Sequence, residues 1–469
     1  MSTALSTALP QITRVTSVIL LTMSLGVLIA QIDTSVVNLA VKQIGVDLSA
    51  SVNTLQWVVD AYNLVYASLL LTAGTLADLY GRRKIFALGI ALFTVGSLIC
   101  GLAPNAVVLI AGRAIAGLGA ALEVPTSLAI LTVAYPDTKE RSHALGLWAS
   151  CNGLAFIIGP TVGGVLVDAV GWRSIFLLII PLCALALVLS MTSVPESKDP
   201  KGRRLDLPGQ ALAVTALGAL SLAVIEGPRW GWLSIESVAS FVISTITAVW
   251  FLRRQANTDG ALVPLTMLKN RVFSAGLAVA TGMTFGMYAM LFLTPLYLQS
   301  ARGVSALVAG LELLPMSATF VVISQLSGKI TNEFGPRFPM TAGMAMMGIG
   351  LFVLALIPVN DSLVVIEAAL LVIGCGLGLN TGPVNAVAVA NAPAARSGTA
   401  SGLVNTARMV GATLGVAVLG AVFAIFAGDS GHVVDGLAPA YIGGGIGEMI
   451  GAVTAFMFIR NGSLHQHSK

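Results

Sequence analysis

Gly74-Thr-Leu-Ala-Asp78-Leu-Tyr-Gly81-Arg82-Arg83-Lys84 is a tight polar turn set between two apolar runs, and the rest of the chain can be placed from it. Gly74 and Gly81 let the backbone turn and approach closely, and Asp78 puts a carboxylate at a helix end. Arg82, Arg83 and Lys84 form a cluster of the kind that stays on the cytoplasmic side of a membrane. The three basic residues alone would serve as a generic anchor; the full spacing is far more specific.

Outward from this turn the composition is that of a polytopic membrane protein. Of 469 residues, 56% are hydrophobic and 10% charged, with a mean hydropathy of +0.90, whereas soluble domains carry about 25% charged residues. The net charge of +4 is not clustered, so it marks membrane sidedness and indicates no nucleic-acid partner. Cys100, Cys151, Cys183 and Cys375 lie singly in apolar runs without a C-x-x-C spacing. Neither a disulfide framework nor a metal site is indicated, and no cofactor is expected beyond protons as a coupling ion. The apolar run after Arg14 reaches Val41, too long for a signal-peptide core of roughly 7–15 residues, so it reads as a retained first helix.

Cutting the chain at its polar and Gly/Pro breaks predicts an all-α fold of fourteen spans, each of roughly 20 residues. They are 16–40, 54–77, 85–103, 106–132, 143–168, 172–192, 208–227, 234–252, 273–300, 305–328, 337–357, 362–387, 398–427 and 440–460. Of the 25 Lys and Arg, only Lys42, Arg173, Arg229 and Arg302 then fall on one side, with Arg113 and Arg408 inside the membrane. The rest, including Lys198, Lys201, Arg203, Arg204 and Lys469, collect on the other, which the positive-inside bias makes cytoplasmic together with both termini. The expected location is the plasma (inner) membrane.

The chain also repeats itself weakly. Gly328, Asn332, Gly335 and Arg337 stand under Gly74, Asp78, Gly81 and Arg83 at a shift of 254; Arg396-Ser397 repeats Arg141-Ser142 at 255; Gly402-Leu403 and Gly415 repeat Gly146-Leu147 and Gly159 at 256. Three places agree on one period, as inverted or parallel transporter repeats do. The expected plan is a six-helix bundle over 1–192, a linker with two extra spanning helices over 193–272, and a second six-helix bundle over 273–469, with a central cavity between the bundles.

A charge near the bilayer centre costs about 2.5–3.5 kcal/mol on insertion scales, so such groups usually face the bundle interior or water. At 1.5 Å per residue, Asp33, Asp60, Glu312, Glu367 and Glu448 come out about 9–12 Å deep and Arg113 about 12 Å. Glu123 lies deeper, nearer the cytoplasm, and Arg408 about 15 Å from the inner end. Asp33 is the leading proton carrier, because burial and a neighbouring cation pull a carboxyl's protonation in opposite directions; a permanent pair with Arg113 is the structural alternative. Asp60 and Glu123 join Asp33 and Arg113 in the proton-coupling set. Asp60, Tyr62, Asn38, Glu312, Glu367, Asn405, Arg408 and Glu448 are the candidate substrate contacts. Gly153, Gly159, Pro160, Gly163 and Gly164 form a packing and hinge element, in which small residues admit a neighbouring helix and the proline bends its own.

Together these stretches resemble the fourteen-helix drug:proton antiporter family of the major facilitator superfamily, from about Ile19 to Ile459. The resemblance rests on the Gly74–Lys84 loop, Asp33-Thr-Ser-Val-Val-Asn38, Gln56-Trp-Val-Val-Asp60-Ala-Tyr62, Arg113 with Gly117, and the Gly153–Gly164 motif. Gly171-Trp172-Arg173, Ile225-Glu226-Gly227-Pro228 and Ser401 to Arg408 add to it. It implies the major facilitator fold, two pseudo-symmetric six-helix bundles with two inserted helices, and proton-driven efflux by alternating access. It also implies coupling through Asp33 and Arg113, and a latch of Gly74, Asp78, Gly81, Arg82 and Arg83 holding the halves on the cytoplasmic face. Glu123, Glu312 and Met409 depart from the family's usual residues and bear on substrate choice.

The expected cargo is an amphipathic, cationic small molecule, moved by a monomer in the lipid bilayer. The alternative on the same fold is a dedicated exporter of one metabolite, antibiotic, siderophore or lipid. A proton-coupled peptide importer lacks support because E-x-x-E-R is absent from the first helix. An enzyme or channel has no nucleophile motif, phosphate loop or repeated filter to rest on.

Overall fold

The structure, a computed structural model, describes residues 3–199, 205–258, 261–356, 362–393, 396–428 and 433–461. Pro200, Lys201, Arg203, Arg204 and Lys469, and the side chain of Arg14, lie outside that description. The first bundle holds α1 (Thr3–Asp47), α2 (Val52–Tyr80), α3 (Arg82–Gly101), α4 (Ala106–Ala134), α5 (Thr138–Ala169) and α6 (Arg173–Ser193). Then come α7 (Leu207–Trp230), α8 (Ile235–Asn257) and the short α9 (Leu265–Leu268). The second bundle holds α10 (Arg271–Ser300), α11 (Ala306–Glu312), α12 (Leu314–Phe334), α13 (Arg337–Leu354), α14 (Leu363–Ala390), α15 (Ser397–Ala427) and α16 (Val433–Phe458).

Side chains fix many of the helix starts. Ser51, Asn105, Asp137, Ser234, Asn270 and Ser305 each accept a hydrogen bond from a backbone N–H of the first turn they precede, satisfying donors that the helix itself cannot. Gly81 joins α2 to α3 at φ +113°, a region that an L side chain rarely enters. Among the described residues, 13 segments are long and apolar enough to cross a membrane, with α11 and α12 counting as one span broken at Leu313. The fourteenth predicted span is α2, whose 29 residues suffice in length but carry Gln56, Asp60, Asn63 and Asp78, all buried. A polar helix of this kind crosses a bilayer because its neighbours, not lipid, surround those groups.

The repeat read from the sequence reappears as packing. α1 lies on α5 and α6 as α10 lies on α15 and α16; α3 is held by α4 and α6 as α13 is by α14 and α16; α2 meets α4 as α12 meets α14. Gly89 abuts the backbone at Glu123, and its repeat Gly343 abuts Asn380; Gly96 faces Gly112 and Ala116 as Gly350 faces Ala369 and Ile373. The halves meet at two seams, α2 on α15 and α5 on α11 and α12, and α1 packs on α10 between them. Among the described residues the inserted α7 covers the first seam, packing on both α2 and α15, and α8 packs behind it.

The seams are closed at one end. Hereafter the basic side is the one carrying the Gly74–Lys84 turn, and the other is the opposite side. On the opposite side one apolar core runs from Val36, Leu39, Val58 and Trp172 into Phe292, Leu298 and Phe423 of the second half. Toward the basic side the first half keeps a core of its own around Met23, Phe86 and Phe93.

Candidate functional site

Asp33 of α1 and Arg113 of α4 form an ion pair of 2.5 Å, with side chains 0% and 1% exposed. Arg113 is held in place from two further directions. Its Nε donates to the Val58 carbonyl of α2 at 3.0 Å, and its guanidinium lies 4.6 Å from the centre of the Tyr62 ring. Arginine suits this position because its planar fork can serve two acceptors and stack on an aromatic face at once. The other Asp33 oxygen, Oδ1, is buried without a hydrogen-bond partner. Removing either member would leave a buried charge uncompensated, which typically costs about 3–5 kcal/mol.

Tyr62 thus forms a wall of this pair; its hydroxyl donates to the Ala30 carbonyl at 3.3 Å. Asn38 is buried and bonds within its own helix, to the Thr34 carbonyl at 3.1 Å. Glu123 is buried beside Tyr66 and beneath Gly89, with both oxygens unpartnered. Asp60, also buried, stands between the hydroxyls of Ser221 on α7 and Thr413 on α15.

The expectation of one level collecting five acids and Arg113 needs correction, because depth along a helix says nothing of the direction a side chain takes around it. Glu312 and Glu367 lie together near Arg302. Glu448 is buried in the core of the second half against Gly286 and Leu351, both oxygens unpartnered. Asn405 and Arg408 are half-exposed on the basic-side half of α15; Arg408 Nη2 donates to the Thr381 carbonyl of α14 at 3.0 Å.

Polar ties across both seams, and between α1 and α10, close the opposite side. Gln56 Nε2 of α2 donates to the Val416 and Ala417 carbonyls of α15 at 3.0 and 3.3 Å. Gln299 Nε2 of α10 donates to the Leu39 carbonyl at 2.9 Å, and Lys42 Nζ to the Gln299 carbonyl at 2.6 Å. The Asp168 carboxylate at the end of α5 accepts the first N–H groups of α11, from Ala306 and Leu307, at 2.9 and 2.8 Å, an arrangement that the helix dipole favours.

The glycine and proline element works at the second seam. Gly159 and Gly163 seat Ser35 and Val36 of α1, Gly153 meets Val321 of α12, and Gly164 meets the backbone of Leu307. Pro160 has no N–H, so the Phe156 carbonyl four residues before it is free; Ser317 of α12 donates its hydroxyl there at 2.7 Å. The residue expected to bend α5 thereby also creates a bond between the halves. On the basic-side halves of α2, α5, α12 and α15, a Cβ built at Gly74, Gly146, Gly328 or Gly398 would meet nothing within 4 Å, while one at Gly402 of α15 would meet the Leu71 side chain of α2.

The basic turn is bound to the strap after α6. Asp78 pairs with Arg82 at 2.8 Å, Arg82 N–H donates to the Ser197 carbonyl at 2.8 Å and Asp199 N–H to the Asp78 carbonyl at 2.9 Å. Glu196 accepts from the N–H groups of Arg83 and Lys84 at 3.1 and 3.3 Å, so its carboxylate caps α3. These bonds of Gly81–Lys84 tie the turn to the strap after α6. Glu196, Gln210 and Ser317 are not among the residues the sequence marks out, and Gln56 appears there only as the first residue of the α2 motif. The only signal available for Glu196 was its place after Pro195 at a helix end; for Ser317, the pairing of a lone hydroxyl with a distant proline.

Residues 23–416 match the family model described as Major Facilitator Superfamily. Over 405 residues the chain is 39% identical to "Multidrug resistance protein Stp" of Mycobacterium tuberculosis, covering 86% of this chain and 75% of that protein. It is 36% identical to "Methylenomycin A resistance protein" of Bacillus subtilis, covering 86% and 87%. To "Multidrug efflux pump LfrA" of Mycolicibacterium smegmatis it is 32% identical, covering 93% and 86%. Among solved structures, a D-xylose-proton symporter aligns with a TM-score of 0.69 over 95% of this chain and 98% of that one, at 17% identity, a likeness of fold alone. Paired bundles, a buried Asp33–Arg113 pair, the Gly74–Lys84 turn and these relatives agree: the chain belongs to the Major Facilitator Superfamily.

Proposed function

We propose that the protein is a proton-coupled exporter of amphipathic, cationic compounds, working by alternating access between halves 1–192 and 273–469, with 193–272 as the inserted pair. The observation that carries the reading is the Asp33–Arg113 pair, a carboxylate with one bonded and one free oxygen, sealed in the first half beneath a seam that is closed on the opposite side. Such a carboxylate can exchange Arg113 for a proton when the seam opens. A cationic substrate entering from the basic side would compete with that proton, so that loading one favours release of the other. Asp60 is the second carboxyl of the set. Asn405 and Arg408 offer polar contacts in the half-exposed region between the halves.

In this reading the basic side is the cytoplasm, with both termini there, the membrane is the plasma (inner) membrane, and the working unit is a monomer. The test is a reconstituted preparation with an imposed pH gradient and a quaternary ammonium dye. Wild type accumulates the dye against its gradient, and Asp33→Asn keeps dye-for-dye exchange but loses the gradient-driven part. Full gradient-driven accumulation by Asp33→Asn removes that residue from coupling.

A narrower reading draws support from relatives named for single antibiotics, the methylenomycin A resistance protein and "Tetracenomycin C resistance and export protein" of Streptomyces glaucescens, 31% identical over 87% of this chain. Resistance profiling in a host stripped of its own pumps separates the two. Protection against unrelated dyes and quaternary ammonium compounds supports a broad exporter, and protection against one compound class supports a dedicated one.

A further inference from the structure

Asp60 is fully buried, and neither of its oxygens has a hydrogen-bond partner. The hydroxyls standing against it, Ser221 and Thr413, are buried and unpartnered as well. Three elements of different origin therefore meet here: α2 of the first half, α15 of the second, and the inserted α7. Among the described residues, the basic groups of the surrounding helices are engaged elsewhere, while Glu123 of α4 is a further unpartnered acid. Arg113 of α4 is taken up by Asp33 of α1 and the Val58 carbonyl. Glu226 of α7 accepts from Trp57 Nε1 at 3.0 Å and pairs with Arg229, and Arg408 of α15 bonds the Thr381 carbonyl. The cluster offers a carboxyl group and two hydroxyls with no cation, a set that can hold a carried proton and has nothing to balance a charge.

α7 is fastened to α2 along its length. Asn53 Nδ2 donates to the Ile225 carbonyl at 2.5 Å, Trp57 Nε1 to Glu226, and Gln210 Nε2 to the Ser68 carbonyl at 2.7 Å, while the Thr72 hydroxyl bonds Gln210 Oε1. α15 is joined to α2 one turn from Asp60, through Gln56 at the seam that closes the opposite side. Parting that seam separates Thr413 from Asp60; it does not separate Ser221.

We propose that Ser221 is a positioning residue of the coupling site, carried with Asp60 on the fastened α2–α7 pair while Thr413 withdraws as the opposite side opens. The inserted helices thereby supply part of the proton's site and do not merely fill a gap in the membrane. The inference rests on the proton-coupled reading above and assigns a role that reading leaves open.

The test uses the full chain in proteoliposomes, with a quaternary ammonium dye and a set of imposed pH gradients. Removing the hydroxyl that stands beside the carboxyl in Ser221→Ala moves the pH midpoint of gradient-driven transport by about one unit, a tenfold change in proton affinity, while dye exchange persists; Ser221→Thr restores the midpoint. A second measurement is independent of proton affinity. In a background without the four native cysteines, bridging Asn53→Cys to Ile225→Cys with a bifunctional thiol reagent leaves transport running, whereas bridging Gln56→Cys to Ala417→Cys arrests it. An unchanged midpoint in well-folded Ser221→Ala, or arrest by the α2–α7 bridge, overturns the inference. Asp60→Asn separates the two levels: if it abolishes coupling while Ser221→Ala changes nothing, only the inference fails. Normal coupling in Asp60→Asn removes Asp60 from the proposed coupling set as well.

Discussion

Ser317 and Phe156 show how one missing donor becomes a contact between halves. Pro160 leaves the Phe156 carbonyl free, and the Ser317 hydroxyl takes it only while α5 and α12 lie together. A neutral hydrogen bond contributes about 1 kcal/mol net, so Ser317→Ala should shift the population roughly fivefold toward forms open on the opposite side. Spin-label distances across the α5–α12 seam read this directly; an unchanged distribution would deny the bond any part in closure. Arg113→Lys keeps the charge but cannot serve both Asp33 and the Val58 carbonyl with one planar group. Losing a charge-assisted bond of about 1.5–3 kcal/mol predicts a tenfold or greater fall in gradient-driven efflux, measured beside unaltered protein yield. The sequence was informative about such residues when their chemistry is rare in a membrane, as with Asp33 and Arg113. It was silent on Ser317, because a serine in an apolar helix carries no sign of which distant carbonyl lacks a donor.

At the scale of elements, the inserted hairpin is anchored at its base by Asp206, which precedes α7. Its Oδ1 accepts from Gly209 N–H at 3.0 Å and Arg254 Nε at 2.7 Å, and its Oδ2 from Gln255 Nε2 at 2.9 Å. Burial alone would push this carboxyl up, but the bonds from Arg254, Gly209 and Gln255 prevail and hold it below the ordinary carboxylate range. A group whose folded value is depressed stabilises fully above its unfolded value, about 3.9, and loses that contribution as pH falls through the folded one. Asp206→Asn should therefore melt below wild type near neutrality, with the gap closing in strong acid; a gap independent of pH would contradict this. Gly310 marks the other seam, where an added Cβ would collide with the Pro160 carbonyl. Gly310→Val should hold that seam apart and stop turnover without loss of folded protein, as size-exclusion and transport assays together would show. Helix identity and order were legible from apolar length, and the breaks at Pro and charged residues placed most ends. Rotation was not: Glu448 and Glu367 share the expected depth with Asp33 yet face different surroundings, since an apolar helix all round carries no stripe to orient it.

For the whole molecule, the 254–256-residue shift seen in the sequence predicted the pairing of bundles, and the glycine contacts at Gly89 and Gly343 bear it out. What the repeat could not disclose is where the symmetry is broken. One seam is covered by α7 and sealed by Gln56, and the other relies on Gly310 and Asp168. Nor does a sequence hold a conformation: the closed opposite side belongs to one state of the proposed cycle. Two pairs of spin labels, one across each mouth, test the cycle and its coupling together. On acidification in membranes, the wild type should lengthen one distance as it shortens the other, and Asp33→Asn should hold both fixed. Parallel movement of the two mouths, or an undiminished response in Asp33→Asn, would contradict the account.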